Sequence, residues 1–199
     1  LKHGGVKYVS VTFTNPDARY TNKKVFISGG SEGLGRAMAK AYLAEGAEVI
    51  VTGRSKENCQ TSSFPKVMPS FIRWYGTPWI LTLSKQKFDK AVSMMGRIDI
   101  FVNNVGGGMS KYEPWNAYTA EVLDRTYDIN TKSMFLMCQM EGLYMIDNKI
   151  KGNILNITSI AGYQRLSTYA VAKWGAHSLT GGIARKLIAY DIVVNGIAP

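Results

Sequence analysis

Residues 24–35 read Lys-Val-Phe-Ile-Ser-Gly-Gly-Ser-Glu-Gly-Leu-Gly, a short apolar run that breaks into glycines. The first five, KVFIS, have β character, and the glycines end the run abruptly. Apolar residues then recur at Leu34, Met38, Ala41 and Tyr42, the spacing of a helix over residues 33–45, with Gly46 as its stop. EVIVT at residues 48–52 is a second strand. Strand, glycine turn, helix and strand make a βαβ unit, which demands parallel pairing and a crossover helix.

The alternation continues outward from this unit. Residues 67–74 read as a third strand, and Pro69 confines it to a sheet edge or a bulge. Thr77 and Pro78 suit the N-cap and first position of a helix running to residue 95, with Ile80, Leu83, Phe88, Ala91, Val92 and Met95 on its apolar face. IDIFV (98–102), NILNIT (153–158) and residues 192–197 are three further strands. Between them lie a helix from a Thr119 cap to about residue 148 and another over 169–190. Residues 56–66, with Ser62, Ser63 and Pro65, give a weak signal where a crossover helix is due. The expected fold is α/β: one domain built on a doubly wound, Rossmann-like parallel sheet. Residues 1–20, with their alternating VKYVSVTF run, read as an N-terminal extension, and residues 21–199 as the domain.

Composition narrows the function classes. The 199 residues are 46% hydrophobic and 19% charged, enough apolar material for one core and too much for a disordered chain. No apolar run approaches the ~18 residues of a membrane span, and no signal peptide opens the chain. The net charge of +10 comes from 24 Lys+Arg against 14 Asp+Glu. These cations occur at most in pairs and without interleaved aromatics, which argues against nucleic acid. Cys59 and Cys138 fit no metal or redox spacing and read as free thiols in a reducing, cytoplasmic compartment. The chain starts at Leu1 and stops at Pro199, directly after an apolar strand, so it is expected to be truncated at its C-terminus.

Glycines between a strand and a helix let a pyrophosphate approach the backbone and meet the helix N-terminus. The same glycines also serve a plain tight turn. At the end of the second strand, Thr52-Gly53-Arg54-Ser55 offers no acid for the ribose hydroxyls of NAD. Arg54 could instead fork onto a 2′-phosphate, or be an ordinary surface arginine. Glu32 would sit near that phosphate and counts against it. On balance NADP(H) is favoured over NAD(H).

Tyr169 and Lys173 stand four apart at the start of a helix and share a face. A phenol is a poor proton donor or base at neutral pH, and an ammonium held close favours its ionised form. Ser159 ends the fifth strand and Asn103-Asn104-Val105-Gly106 the fourth, both on the sheet edge where doubly wound folds bind ligands.

Taken together, the sequence resembles the short-chain dehydrogenase/reductase family from Lys24 to Pro199. Ser28 to Gly35 is similar to its TGxxxGxG loop with Ser for Thr, and Asn103 to Gly106 to its NNAG. Asn130 resembles its helix asparagine, Ser159 its catalytic serine, and Tyr169/Lys173 its YxxxK. Asn195 to Pro199 looks like the strand entering its Pro-Gly cofactor loop. The resemblance implies a catalytic set of Asn130, Ser159, Tyr169 and Lys173, with no metal. Tyr169 would exchange a proton with the substrate oxygen, Ser159 would hydrogen-bond that oxygen, Lys173 would assist the phenol and bind ribose, and Asn130 would hold a relay water. Cofactor contacts would come from Gly29, Ser31, Gly33, Leu34 and Gly35, from Arg54, from Asn104, Val105 and Gly106, and from Tyr169, Lys173 and Pro199. The implied activity is hydride transfer between NAD(P)(H) and a ketone or secondary alcohol, in a homodimer or homotetramer when full length. The competing reading is a catalytically silent dinucleotide-binding or regulatory protein of the same fold.

Three departures bear on substrate. Ser159 and Tyr169 are ten residues apart, fewer than is usual in the family. The acid that often contacts adenine is missing near Tyr75. Trp174 and His177 replace small or aliphatic residues and read as packing or interface side chains.

Overall fold

The computed structural model of the chain describes residues 19–53, 67–71, 79–107, 115–164 and 166–199. Arg54, Cys59, Tyr75, Thr77 and Pro78, and the expected extension up to residue 18, lie outside that set. Six strands form one sheet: β1 (Lys24–Ser28), β2 (Glu48–Gly53), β3 (Val67–Phe71), β4 (Ile100–Asn103), β5 (Asn153–Ile157) and β6 (Val193–Ile197). All pairs are parallel, in the order β3-β2-β1-β4-β5-β6. The chain winds outward from β1 to β3, then returns to the other side of β1 for β4. A crevice therefore opens beyond the carboxyl ends of β1 and β4, where the winding reverses.

Helices α1 (Gly33–Ala44), α2 (Trp79–Met95), α3 (Ala120–Tyr127), α4 (Ser133–Asp147), α5 (Ala161–Gln164) and α6 (Thr168–Leu187) fill the connections. The two-residue period of the strands sorts their side chains between two cores. Val25, Ile27, Val49, Val51, Ile100 and Val102 bury against Ala39 of α1. Phe26, Ile50, Phe101, Ile154 and Val194 bury against α2, α4 and α6, where Phe88 stacks on Phe101 at 5.5 Å. Each such side chain is worth about 1.5–3 kcal/mol relative to exposure, so the strands are held from both faces.

Most element boundaries follow the sequence, and the exceptions have local causes. β3 is an edge strand whose register shifts between its pairings to Val51 and Gly53, the place Pro69 permits. β4 begins at Ile100 rather than residue 98, because Ile98 gives its N–H to the Tyr144 hydroxyl and the Asp99 carboxylate takes the Lys24 N–H. Thr119 caps α3 by accepting from Val122 N at 3.3 Å, as expected. The single helix expected to residue 148 is instead α3 and α4 joined by a π turn over Asp128–Lys132. Ser167 caps α6, which closes in a 3-10 turn at Ile188–Tyr190. The short helix α5 lacks the length for periodicity to reveal it.

Candidate active site

The glycine turn is built against β4. Asn104 Nδ2 donates to the carbonyls of Ser28 and Gly29 at 3.2 and 2.8 Å, and Asn104 N–H donates to Ser28 Oγ at 3.0 Å. Gly30 N–H donates to Thr52 O at 2.8 Å, tying the turn to β2. Gly35 is in the first turn of α1, and a Cβ there would strike the Gly29 carbonyl and approach Asn104 Nδ2 to 2.6 Å. Only glycine lets the helix start this close to the strand. Glu32 stands at the N-cap without capping the helix by its side chain, so the first N–H groups of α1 are directed to the crevice. Ser31 is buried beside this turn, Gly33 opens the helix in a left-handed conformation, and Leu34 is 45% exposed on the crevice rim. Val105 and Gly106 continue from Asn104 along the same edge.

A second part of the site comes from the π turn. Asn130 is fully buried, and its Nδ2 donates to Gly107 O and Thr126 O, each at 2.9 Å. Its Oδ1 accepts from Gly107 N–H at 3.0 Å. Both amide hydrogens are thus spent on protein, so a water at this side chain could be held through Oδ1 alone. Gly106 lies where a Cβ would come within 2.9 Å of both Asn130 Oδ1 and Lys173 Nζ. Asn130, Gly106 and Lys173 therefore share one small volume, and a side chain on Gly106 would fill it.

Lys173 is 2% exposed, its Nζ donates to Ile157 O at 2.8 Å, and burial pulls its pKa down to about 8. The same Nζ lies 5.7 Å from the centre of the Tyr169 ring, which is half-buried. Ser159 follows β5, is 9% exposed, and its Oγ accepts from Ala161 N–H at 3.2 Å. That bond leaves the hydroxyl hydrogen available as a donor. Pro199 carries the far wall, accepting from Ile160 N–H at 3.2 Å. Every expected site residue that the structure describes falls on this one sheet edge.

Sequence reasoning missed two features. His177 is not mere packing, since its Nε2 lies 3.1 Å from the Ser159 carbonyl. Its position one turn beyond Lys173 on the same face was the available signal. Behind the crevice, Asn103, Glu141 and Asn156 form a buried polar cluster. A lone glutamate in an apolar helix, MCQMEGLYM, was the trace it left. Among the described residues no group of three His, Cys, Asp or Glu is placed to hold a metal ion, and no helix is long and apolar enough to cross a membrane.

A glycine cradle at the switch point of a 3-2-1-4-5-6 sheet, with a Tyr–Lys pair beside it, defines a dinucleotide-binding α/β class. The model of the family described as short chain dehydrogenase matches residues 23–199, and the chain belongs to that family. It is 31% identical over 198 residues to levodione reductase of Leifsonia aquatica, covering 94% of this chain and 72% of that one. It is 26% identical over 188 residues to carbonyl reductase (NADPH) 2 of Sus scrofa, covering 90% and 72%. Among solved structures, a short chain dehydrogenase from Bacillus anthracis superposes with a TM-score of 0.78 at 29% identity, covering 89% of this chain and 75% of that one.

Proposed function

We propose that this chain is an NAD(P)(H)-dependent oxidoreductase that reduces a small ketone or oxidises a secondary alcohol. The observation that carries the reading is the placement of Lys173: buried, anchored on Ile157 O, in contact distance of the Gly106 and Asn130 pocket, and beneath the Tyr169 ring. A silent binding protein would have no use for a buried lysine beside a tyrosine.

The cradle fits a dinucleotide. Gly29, Ser31, Gly33, Leu34 and Gly35 would hold its pyrophosphate, with Asn104 and Val105 along the adenosine side and Gly106, Lys173, Tyr169 and Pro199 at the nicotinamide end. When bound, that cofactor supplies or accepts the hydride. Tyr169 gives its hydroxyl proton to the substrate oxygen in reduction and takes it back in oxidation. The Ser159 hydroxyl donates to the same oxygen and stabilises the charge that develops there. Lys173, as the ammonium, favours the phenolate that remains and reaches the ribose hydroxyls. The side chain of Asn130 holds Gly107, and its Oδ1 is the atom through which a relay water would be held.

The preference for NADP(H) rests on the acid-free end of β2 and on Arg54; the NADPH named for the Sus scrofa relative supports it. A homo-oligomer in the cytoplasm accords with the buried free thiol of Cys138 and with exposed Phe135, Leu143 and Trp174 on α4 and α6. Titration with NADPH and NADH, following nicotinamide fluorescence, tests the reading. Binding of either at micromolar levels is expected, and oxidation of the bound cofactor by simple diketones should follow; no binding up to millimolar would sink it.

A further inference from the structure

Behind the crevice, uncharged polar side chains join the elements that carry the site. Asn103 Nδ2 donates to Glu141 Oε2 at 2.8 Å and to Asn156 Oδ1 at 3.0 Å. Asn156 Nδ2 donates to Thr180 Oγ1 at 3.1 Å, and that hydroxyl donates to Ala176 O at 2.7 Å. The Cys138 thiol donates to Asn156 Oδ1 at 3.4 Å. Both amide hydrogens of Asn103 are spent, yet Asn103 Oδ1 and Glu141 Oε1 are buried without a hydrogen-bond partner. Glu141 and Asn156 are 0% exposed, and Asn103 is 3%. The cluster is short of one donor and has two orphan acceptors.

We propose that Glu141 stands in the folded protein as a neutral carboxylic acid, its O–H serving Asn103 Oδ1 while its Oε2 accepts from Asn103 Nδ2, and that this acid–amide pair positions the segment from Asn103 to Gly107. One proton turns an orphan acceptor into the missing donor and satisfies both atoms at once. A carboxylate would instead leave a charge in a fully buried site.

The surroundings agree. Facing Glu141 are Asn103 from β4, Asn156 from β5 with Thr180 of α6 beyond it, and Cys138 on its own helix. None of these is a cation, and burial keeps Cys138 a thiol. Burial pushes the Glu141 carboxyl up to about 8, against the smaller opposing effect of the Asn103 hydrogen bond.

Glu141 touches nothing that reacts, so it is a positioning residue. Asn103 is followed by Asn104, which clamps Ser28 and Gly29, and then by Gly106 and Gly107, which meet Lys173 and Asn130. Asn156 lies three residues before Ser159, and Thr180 seven after Lys173. The acid form of Glu141 thus holds β4, β5, α4 and α6 in one register behind the site. That it serves cofactor binding rests on the function proposed above; that it is protonated does not.

Infrared spectroscopy of the parent protein and of Glu141→Gln at about pH 7 reads the proton directly, because exposed Asp and Glu are ionised there. A protonated-carboxyl stretch present in the parent and missing from the variant is expected. Glutamine reproduces one donor and one acceptor, so the variant should keep the fold without the titration. Melting from about pH 5 to about pH 9 gives the second readout. The unfolded carboxyl ionises near its ordinary value while the folded one keeps its proton to about 8, so the parent loses stability across that interval. Its melting temperature should fall by roughly 5 °C relative to Glu141→Gln. From neutral to alkaline pH the NADPH affinity of the parent should drop several-fold more than that of the variant, which keeps only the decline that Lys173 causes. No carboxyl band in the parent, which can be read even if the variant fails to fold, would overturn the proposal. So would a melting difference that does not change with pH. A band with the same pH dependence of NADPH affinity in the parent and in Glu141→Gln would overturn the positioning role, whereas a band and a melting shift without any NADPH binding would fail the proposed function and leave the neutral acid standing.

Discussion

His177 Nε2 lies 3.1 Å from the carbonyl oxygen of Ser159, so a side chain on α6 holds the main chain of the serine that follows β5. A carbonyl oxygen only accepts, which puts the hydrogen on Nε2. The imidazole is itself braced by Tyr163 and Trp174, with ring centres 5.1 and 6.0 Å away. Four residues earlier on the helix, Lys173 holds Ile157 O, two residues earlier on the strand. Two side chains one turn apart on α6 thus hold the main chain at the end of β5.

Replacing His177 by Leu keeps the volume and removes the donor. Turnover should fall by about tenfold, since one buried hydrogen bond is worth roughly 1 kcal/mol and the serine hydroxyl would drift. His177→Gln, which can still donate, should recover most of it. Steady-state kinetics checks this, with NADPH affinity expected to be the same in all three proteins.

Tyr169→Phe should lower kcat by about 10²–10⁴-fold, the usual worth of a positioned proton donor, while the ring and the helix persist. Cofactor binding should be nearly unchanged. Lys173→Met should damage turnover and NADPH affinity together, because the ammonium serves both the phenol and the ribose. Equal cofactor affinity in Lys173→Met and the parent would contradict that double role.

The depressed Lys173 pKa gives a pH signature. Its charge is lost through about pH 8 in the folded protein, so reductive turnover should decline above that point. Lys173→Arg, which stays charged, should move the decline upward if the variant turns over. The stability effect has the opposite sign to that of Glu141. Between about 8 and its ordinary 10.5, the unfolded chain binds a proton that the folded protein has shed, so this lysine adds stability as pH rises through the window. Melting of the parent against Lys173→Met over that range measures it.

Asn130→Leu would strip the partners from both the N–H and the carbonyl of Gly107. Gly107 is exposed, so its freed groups can turn to water and the loss is the net worth of the hydrogen bonds, about 1 kcal/mol each, and melting should drop by a few degrees. Hydrogen exchange at the Gly107 amide should accelerate. An unchanged exchange rate there would show that the asparagine does not hold that loop.

Gly35→Ala should weaken NADPH binding at least tenfold, because its Cβ meets the Gly29 backbone and the Asn104 amide rather than a flexible side-chain end. Gly181→Ala is the control. It lies in α6 with nothing within 4 Å of a new Cβ. There the substitution should stabilise the helix by about 0.5–1 kcal/mol without touching the site. Isothermal titration and melting of the two variants separate backbone strain from helix propensity.

The strands, their parallel pairing and the sheet edge that gathers Gly29, Asn104, Ser159 and Lys173 were legible in the chain because they follow from local signals, whereas the order of the strands is read from the structure. KVFIS and EVIVT are short β-branched runs bounded by glycine, and a helix between two such strands allows only parallel pairing. The parallel edge then brings together whatever ends each strand, so a motif at the end of β1, β4 or β5 becomes a site without further information. Tertiary structure alone decided how the polar side chains were spent. No signal in residues 128–132 marks the π turn, which in the structure coincides with the hydrogen bonds of Asn130 to Gly107. Glu141 is in sequence a lone charge in an apolar helix, MCQMEGLYM, with nothing local to say what it meets. Its partner Asn103, 38 residues away, bonds in turn to Asn156, and no local pattern specifies that three polar groups will meet in the core. Periodicity reports which face is apolar; whether a lone polar residue on that face finds a partner depends on strands brought beside it by the fold.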